Sequence, residues 1–265
     1  MEQNKYKILV LSDLKDTTNS TLKSAVSIAQ MTNADINFFH VKKPADVVKK
    51  ESQLSAMRTL NKEYNSINRK IQNLITPISK EHGIAIDYKF SFGNVKNEID
   101  QHIKETQPDI IILGKKKTSL LNIIGDNLTS FILKNNDSTI FFADSNNSLE
   151  PNKPIALGLL NNEKDSLEKS IVKNFLNNIS KPIVSFNIAK KNNTINGIDN
   201  SSSSTSINYV FDQNDNTIKN LSSYLLKNNI HILHINRSKD DNSLTKSDIN
   251  KAINTLKTSL LITSI

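Results

Sequence analysis

Short, almost wholly apolar runs recur along the first half of the chain: KILVL at 7–11, INFFHV at 36–41, DIIILG at 109–114 and TIFFA at 139–143. Runs of this length and composition are strands buried on both faces. Between them lie longer stretches whose apolar residues fall three and four apart, such as Leu22, Val26 and Ile28-Ala29. Strands alternating with helices specify a parallel sheet covered on both sides, a doubly wound α/β architecture. The spacing predicts a strand from 7 to 11, a helix capped near Asp16, Thr17 or Thr18, and a strand from Ile36 to Val41. A long helix follows from about Val47 to Lys80, with Leu54, Met57, Tyr64, Ile67, Ile71, Leu74 and Ile78 as its covering stripe. Pro77 is expected to kink or end it, because proline lacks the N–H and clashes with the preceding turn.

The second half replays this plan. Tyr209 answers Tyr88, Phe211 answers Phe90, and the run beginning at Ile232 answers the run beginning at Ile110. A strand is expected from Ile155 to Leu160, a helix from Lys164 to Asn177 and a strand from Pro182 to Ala189. The counterpart of the long helix is missing, replaced by KKNNTINGIDNSSSSTS, which reads as a polar, mobile connection. The expected organisation is a domain over residues 1–145, a linker over 146–153, and a diverged second domain over 154–265. Each is expected to be a five-stranded, mostly parallel Rossmann-like sheet with helices on both faces.

Composition removes several functions. The chain has no cysteine, so disulfides, thiolate nucleophiles and Cys-ligated metals are excluded. No apolar stretch approaches the ~18 residues that span a bilayer, and MEQNKYKILV lacks the parts of a signal peptide, so a cytoplasmic, membrane-free protein is expected. The net charge of +8 invites a nucleic-acid reading. It is nevertheless shared evenly, about +4 to each half, and carries only three arginines, so no specific nucleic-acid partner is expected. His231 and His234 point to opposite faces of a strand and find no third ligand, while His40, His82 and His102 are scattered.

In a doubly wound sheet a ligand sits beyond the carboxyl ends of the strands where their order reverses, here the first and fourth. That brings Ser12-Asp13 to Gly114 and the loop behind it. The segments KILVLSDLKDTTNSTLKSAVSIAQMTNADINFFHV, GNVKNEIDQHIKETQPDIIILG and GDNLTSFILKNNDSTIFFA resemble the universal stress protein family in order, spacing and residue type. The resemblance implies an adenine nucleotide alpha hydrolase-like fold, a role in stress regulation, and pairing of the two halves through their final strands as an internal pseudo-dimer, with a further homodimer open. In ATP-binding members, adenine is held by the aspartate closing the first strand and by backbone at the end of the second. Ribose and phosphates are held by G-x-x-G, a nine-residue spacer and G-[ST]. Asp13, Val41 and Gly114 match their positions.

The rest of the loop departs. Lys117 replaces the second glycine, seven residues separate it from Gly125, and Asp126, followed by Asn127, replaces the hydroxyl residue. A lysine Cβ resists the dihedrals that gather N–H groups around an anion. At an effective dielectric of about 20, a carboxylate ~4 Å from a phosphate oxygen costs on the order of 4 kcal/mol. Lys115, Lys116 and Lys117 read as a solvated loop, the alternative being that they meet phosphate directly. In the second half Ile235-Asn236-Arg237-Ser238 has no glycine, and Asn161-Asn162 replaces the aspartate neighbourhood. The expectation is a non-enzymatic binding and regulatory protein with no obligate cofactor and an unknown protein or small-molecule partner. Its pocket is a remnant of Asp13, Val41, Gly114, Lys117, Gly125, Asp126 and Asn127, and the alternative is an ATP switch or weak ATPase built on the first domain.

Overall fold

A computed structural model describes residues 5–43, 53–115, 126–161, 173, 179, 183–189, 207–212, 216–237 and 246–263. In the first half, β1 (Tyr6–Ser12), α1 (Thr18–Thr32), β2 (Ala34–Lys42), α2 (Gln53–His82), β3 (Ile86–Phe92), α3 (Val95–Thr106), β4 (Ile110–Gly114), α4 (Asp126–Asn135) and β5 (Thr139–Ala143) follow in turn. The second half adds β6 (Leu157–Leu160), β7 (Val184–Ala189), β8 (Ile207–Asp212), α5 (Thr217–Lys227), β9 (Ile232–Asn236), α6 (Lys246–Thr255) and β10 (Ser259–Thr263). The expected helix over 164–177, apart from helical Lys173, and the polar connection after β7 lie outside the described residues.

All ten strands join one sheet in the order β3-β2-β1-β4-β5-β10-β9-β6-β7-β8. Every pairing is parallel except that of β10 with β5, where Leu260 faces Phe142 and Ile262 faces Ile140. Each half therefore repeats one strand order, and the halves meet at their final strands. Strand alternation sends Ile8 and Val10 to the face covered by α1 and α2, and Leu9 and Leu11 to the face covered by α3 and α4. The second face continues into the other half, where Leu221, Leu225, Ile249 and Ile253 of α5 and α6 cover it.

α2 departs from expectation in two ways. Of the kink or end expected at Pro77, the end does not occur: α2 runs on to His82, because the proline removes one hydrogen bond within the last two turns and packing of Ile75 and Ile78 holds the rest. Its covering stripe is Ile67, Ile71, Ile75 and Ile78, whereas Leu54, Met57 and Tyr64 near its start are 71%, 62% and 52% exposed.

Candidate functional site

The strand order of the first half reverses between β1 and β4, and the carboxyl ends of these strands open into a cavity of about 740 Å³. That volume suits a nucleotide-sized molecule. The turn after β1 forms one wall. Ser12 Oγ shares a 2.9 Å hydrogen bond with Thr18 Oγ1 and accepts one from Leu14 N at 3.0 Å, while Asp13 Oδ1 accepts from Lys15 N at 3.2 Å. Leu14 sits in the left-handed region at φ 57°, a conformation disfavoured for a side chain with a Cβ, and its burial keeps it there. The strained turn buries Leu14 and leaves the Asp13 carboxylate exposed at the cavity mouth.

β2 supplies the next wall. His40 donates from Nδ1 to the Ser12 carbonyl at 2.8 Å, which ties β2 to the turn and leaves Nε2 as the acceptor of the neutral ring. Burial lowers its pKa below the ordinary histidine value; the hydrogen bond and Asp13 oppose this, and Lys42 and Lys70 add to it. Val41, the next residue, is half-buried and lines the same cavity.

Gly114 closes β4 with α1 lying directly on it. A Cβ there would stand 2.6 Å from Thr21 Oγ1 and 2.8 Å from Thr17 Oγ1. Close helix approach is why this residue is glycine, not the positive φ expected of a phosphate-loop glycine. Lys117 and Gly125 lie outside the described residues. Asp126 and Asn127 open α4, and Leu128 and Thr129 of its first turn line the cavity.

Lys115 is neither solvated nor turned to a phosphate. Its ammonium is buried against the other half, where it donates to the carbonyls of Leu256 and, at 3.1 Å, Thr258, just past the end of α6. Asp144 Oδ2 lies 3.9 Å away. Burial pushes the Lys115 pKa down to about 8 against the pull of Asp144. The second half returns the gesture. Arg237, the residue after β9, donates to the carbonyls of Leu133, Asn136 and Ser138 at 2.5, 2.7 and 3.1 Å, capping the end of α4. Both residues also donate a backbone N–H at 2.8 Å to a neighbouring strand, Lys115 to Ala143 and Arg237 to Thr263.

Across the sheet, strand register sets Asn161 where Ser12 stands and Ile188 where Val41 stands. Asn161 occupies the left-handed region at φ 49°, and its Oδ1 accepts from Ile188 N at 2.7 Å. The second crevice is therefore bonded to itself at the amide that answers Val41. His234 is buried on β9 with Nε2 2.9 Å from Thr263 Oγ1, its pKa lowered by burial to about 4, and His231 Nδ1 accepts from Ala156 N. No cluster of three metal-ligating side chains occurs among the described residues.

Sequence reasoning brings Asp13, Val41 and Gly114 to one cavity and passes over other contributors, among them His40, Ile253 and Asn254. His40 is adjacent to Val41 in sequence and could be found from that alone. Ile253 and Asn254 of α6 also line the cavity, and only the packing of the halves brings them there. No curated protein matches the chain. Its fold is similar to that of a universal stress protein from Archaeoglobus fulgidus DSM 4304, at 10% identity over 97% of this chain and 98% of that one, with a TM-score of 0.65. It is also similar to a putative universal stress protein from Pseudomonas aeruginosa UCBPP-PA14, at 12% identity over 98% and 93% of the two chains, with a TM-score of 0.56. The universal stress protein family profile matches residues 6–135, the segment that contributes β1, β2 and β4 to the crevice. Over residues 6–135, just under half of the chain, the sequence is that of a universal stress protein domain.

Proposed function

We propose that the chain is a non-enzymatic regulatory protein that binds a small ligand in the first-half crevice and uses the second half as a fixed partner domain. The observation that carries this reading is Lys115. The first cation after β4 is held by the carbonyls of Leu256 and Thr258, so the loop that would gather phosphate begins instead as a tie between the halves. Ile253 and Asn254 line the cavity, so a bound ligand would touch both halves and bias their contact. Several hydroxyls around the crevice are already engaged: Thr21 Oγ1 donates to the Thr17 carbonyl, and Ser12 Oγ pairs with Thr18. None is paired with His40, which would be needed to make it a nucleophile. A small molecule or a protein that reads the liganded state is the expected partner, with no role for nucleic acid or membrane; among the described residues no helix is long and apolar enough to cross a membrane.

A second reading, an ATP switch or weak ATPase, is favoured by the volume of the crevice and by Asp13 and Val41 at its wall. Isothermal titration of the full chain and of Asp13→Ala with ATP–Mg²⁺ separates the two. We expect no micromolar binding that depends on Asp13. Tight binding lost in the variant would establish the second reading instead.

A further inference from the structure

A second groove of about 850 Å³ lies on the other side of the β1–α1 turn, between Leu14-Lys15 and the outer face of α2. Among the described residues, four cations line it, Lys15, Lys62, Arg69 and Lys70, together with three asparagines and a serine, and no carboxylate. Several cations elsewhere on the surface are paired with carboxylates. Lys5 pairs with Asp35, Lys42 with Glu63, Lys89 with Glu105 and Lys104 with Asp100. Among the described residues, none of the four groove cations has such a partner. Even Glu63, which lies next to Lys62 in sequence, turns to Lys42 at 3.4 Å.

The spacing of the cations says what would fit. Lys62 and Arg69 are seven residues apart on one helix face, a rise of about 10 Å. With their side chains extended along the groove, the two charges can meet successive phosphates of a chain of two or three. Arg69 offers a planar fork for two phosphate oxygens, and the lysines offer point charges. Asparagine amides supply neutral donors between them. No aromatic side chain lines the groove, so the stacking platform that a single-stranded nucleic acid uses is missing.

The geometry points to a binding site for a short polyphosphate anion in the groove between the β1–α1 turn and α2, with Lys15, Lys62, Arg69 and Lys70 as its ligands. The site is separate from the crevice, and it stands whether or not the crevice takes ATP. Lys15 lines both cavities, so the two sites share one wall.

Titration calorimetry of the full chain with inorganic tripolyphosphate tests this. Lys62 and Arg69 are exposed on the outer face of α2, so the Lys62→Ala/Arg69→Ala variant keeps its fold, as far-ultraviolet circular dichroism will verify. Binding should weaken about tenfold or more in that variant and fall steeply with salt, and it should be unchanged in Asp13→Ala. Equal affinity in the double variant and the parent, or no binding to the parent, overturns the proposal. Binding of a single-stranded oligonucleotide that tripolyphosphate does not displace overturns the ligand class.

Discussion

The two halves of this chain share a strand order and differ where that order reverses. In the first half, the end of β1 is a turn that presents Asp13 to a cavity, with His40 and Val41 behind it. In the second half, the residue in the place of Ser12 is Asn161, and its side chain takes the amide of Ile188. At the matching strand end one half carries a cavity wall and the other an internal hydrogen bond from the Ile188 amide to a single polar side chain. The lesson is that topology places a crevice while local hydrogen bonding decides whether a ligand can use it.

The same halves resemble each other in how they hold together. Lys115 and Arg237 each follow the fourth strand of their half, and each crosses to carbonyls at the end of the opposite half's last helix. The chemistry is unequal, since arginine keeps its charge at every working pH and lysine does not. Replacing Arg237 with alanine should have the largest effect. It leaves three carbonyls without their donor and costs about 4 kcal/mol in urea unfolding. A loss below about 1 kcal/mol would mean that the halves are held by β5 and β10 alone.

Lys115 breaks the symmetry through pH. Its folded pKa of about 8 lies below the ordinary lysine value of 10.5, so between these values the unfolded chain binds the extra proton. Stability relative to Lys115→Met should then rise with pH across that window, by up to about 3 kcal/mol, and be flat below pH 8. Arg237→Ala should show no such slope relative to the parent. A flat difference between the parent and Lys115→Met from pH 8 to 10.5 would contradict burial of the ammonium.

The smallest effect compares two helix starts. Asn94 caps α3, accepting from Lys96 N and Asn97 N, whereas Asn216 at the start of α5 makes no side-chain cap. Asn94→Ala should cost about 1 kcal/mol in thermal unfolding, the value of a side chain that accepts two backbone N–H groups at a helix start. No measurable cost would show that Asn94 does not cap α3 in solution.

Much of the fold is legible in the sequence because the strands are continuous apolar runs. Thr139–Ala143 is a strand over the residues that the pattern TIFFA marks, and Gly114 ends β4 where the run DIIILG ends. α2 is less legible: its apolar positions extend past the sheet, so Leu54 and Met57 continue the helical period without a surface to cover. Pro77 does not end the helix for a related reason, since tertiary packing outweighs one missing hydrogen bond. Of the site, Asp13, Val41 and Gly114 can be found from strand ends alone.

Lys115 could not be read in this way. A lysine after a strand and before two more lysines has the local signature of solvent, and its carbonyl partners lie 141 and 143 residues further along the chain. Asn161 presents the same difficulty, because an asparagine in a turn gives no sign of which amide it will reach. By itself the sequence determined the strands, the reversal point and the residues at its rim, since these follow from burial and periodicity, which act over a few residues. Only the tertiary structure decided which strand-end amide a side chain takes, which cations tie the halves together and which, among the described residues, remain without a carboxylate partner, because charges and hydrogen bonds take their meaning from groups that folding brings near.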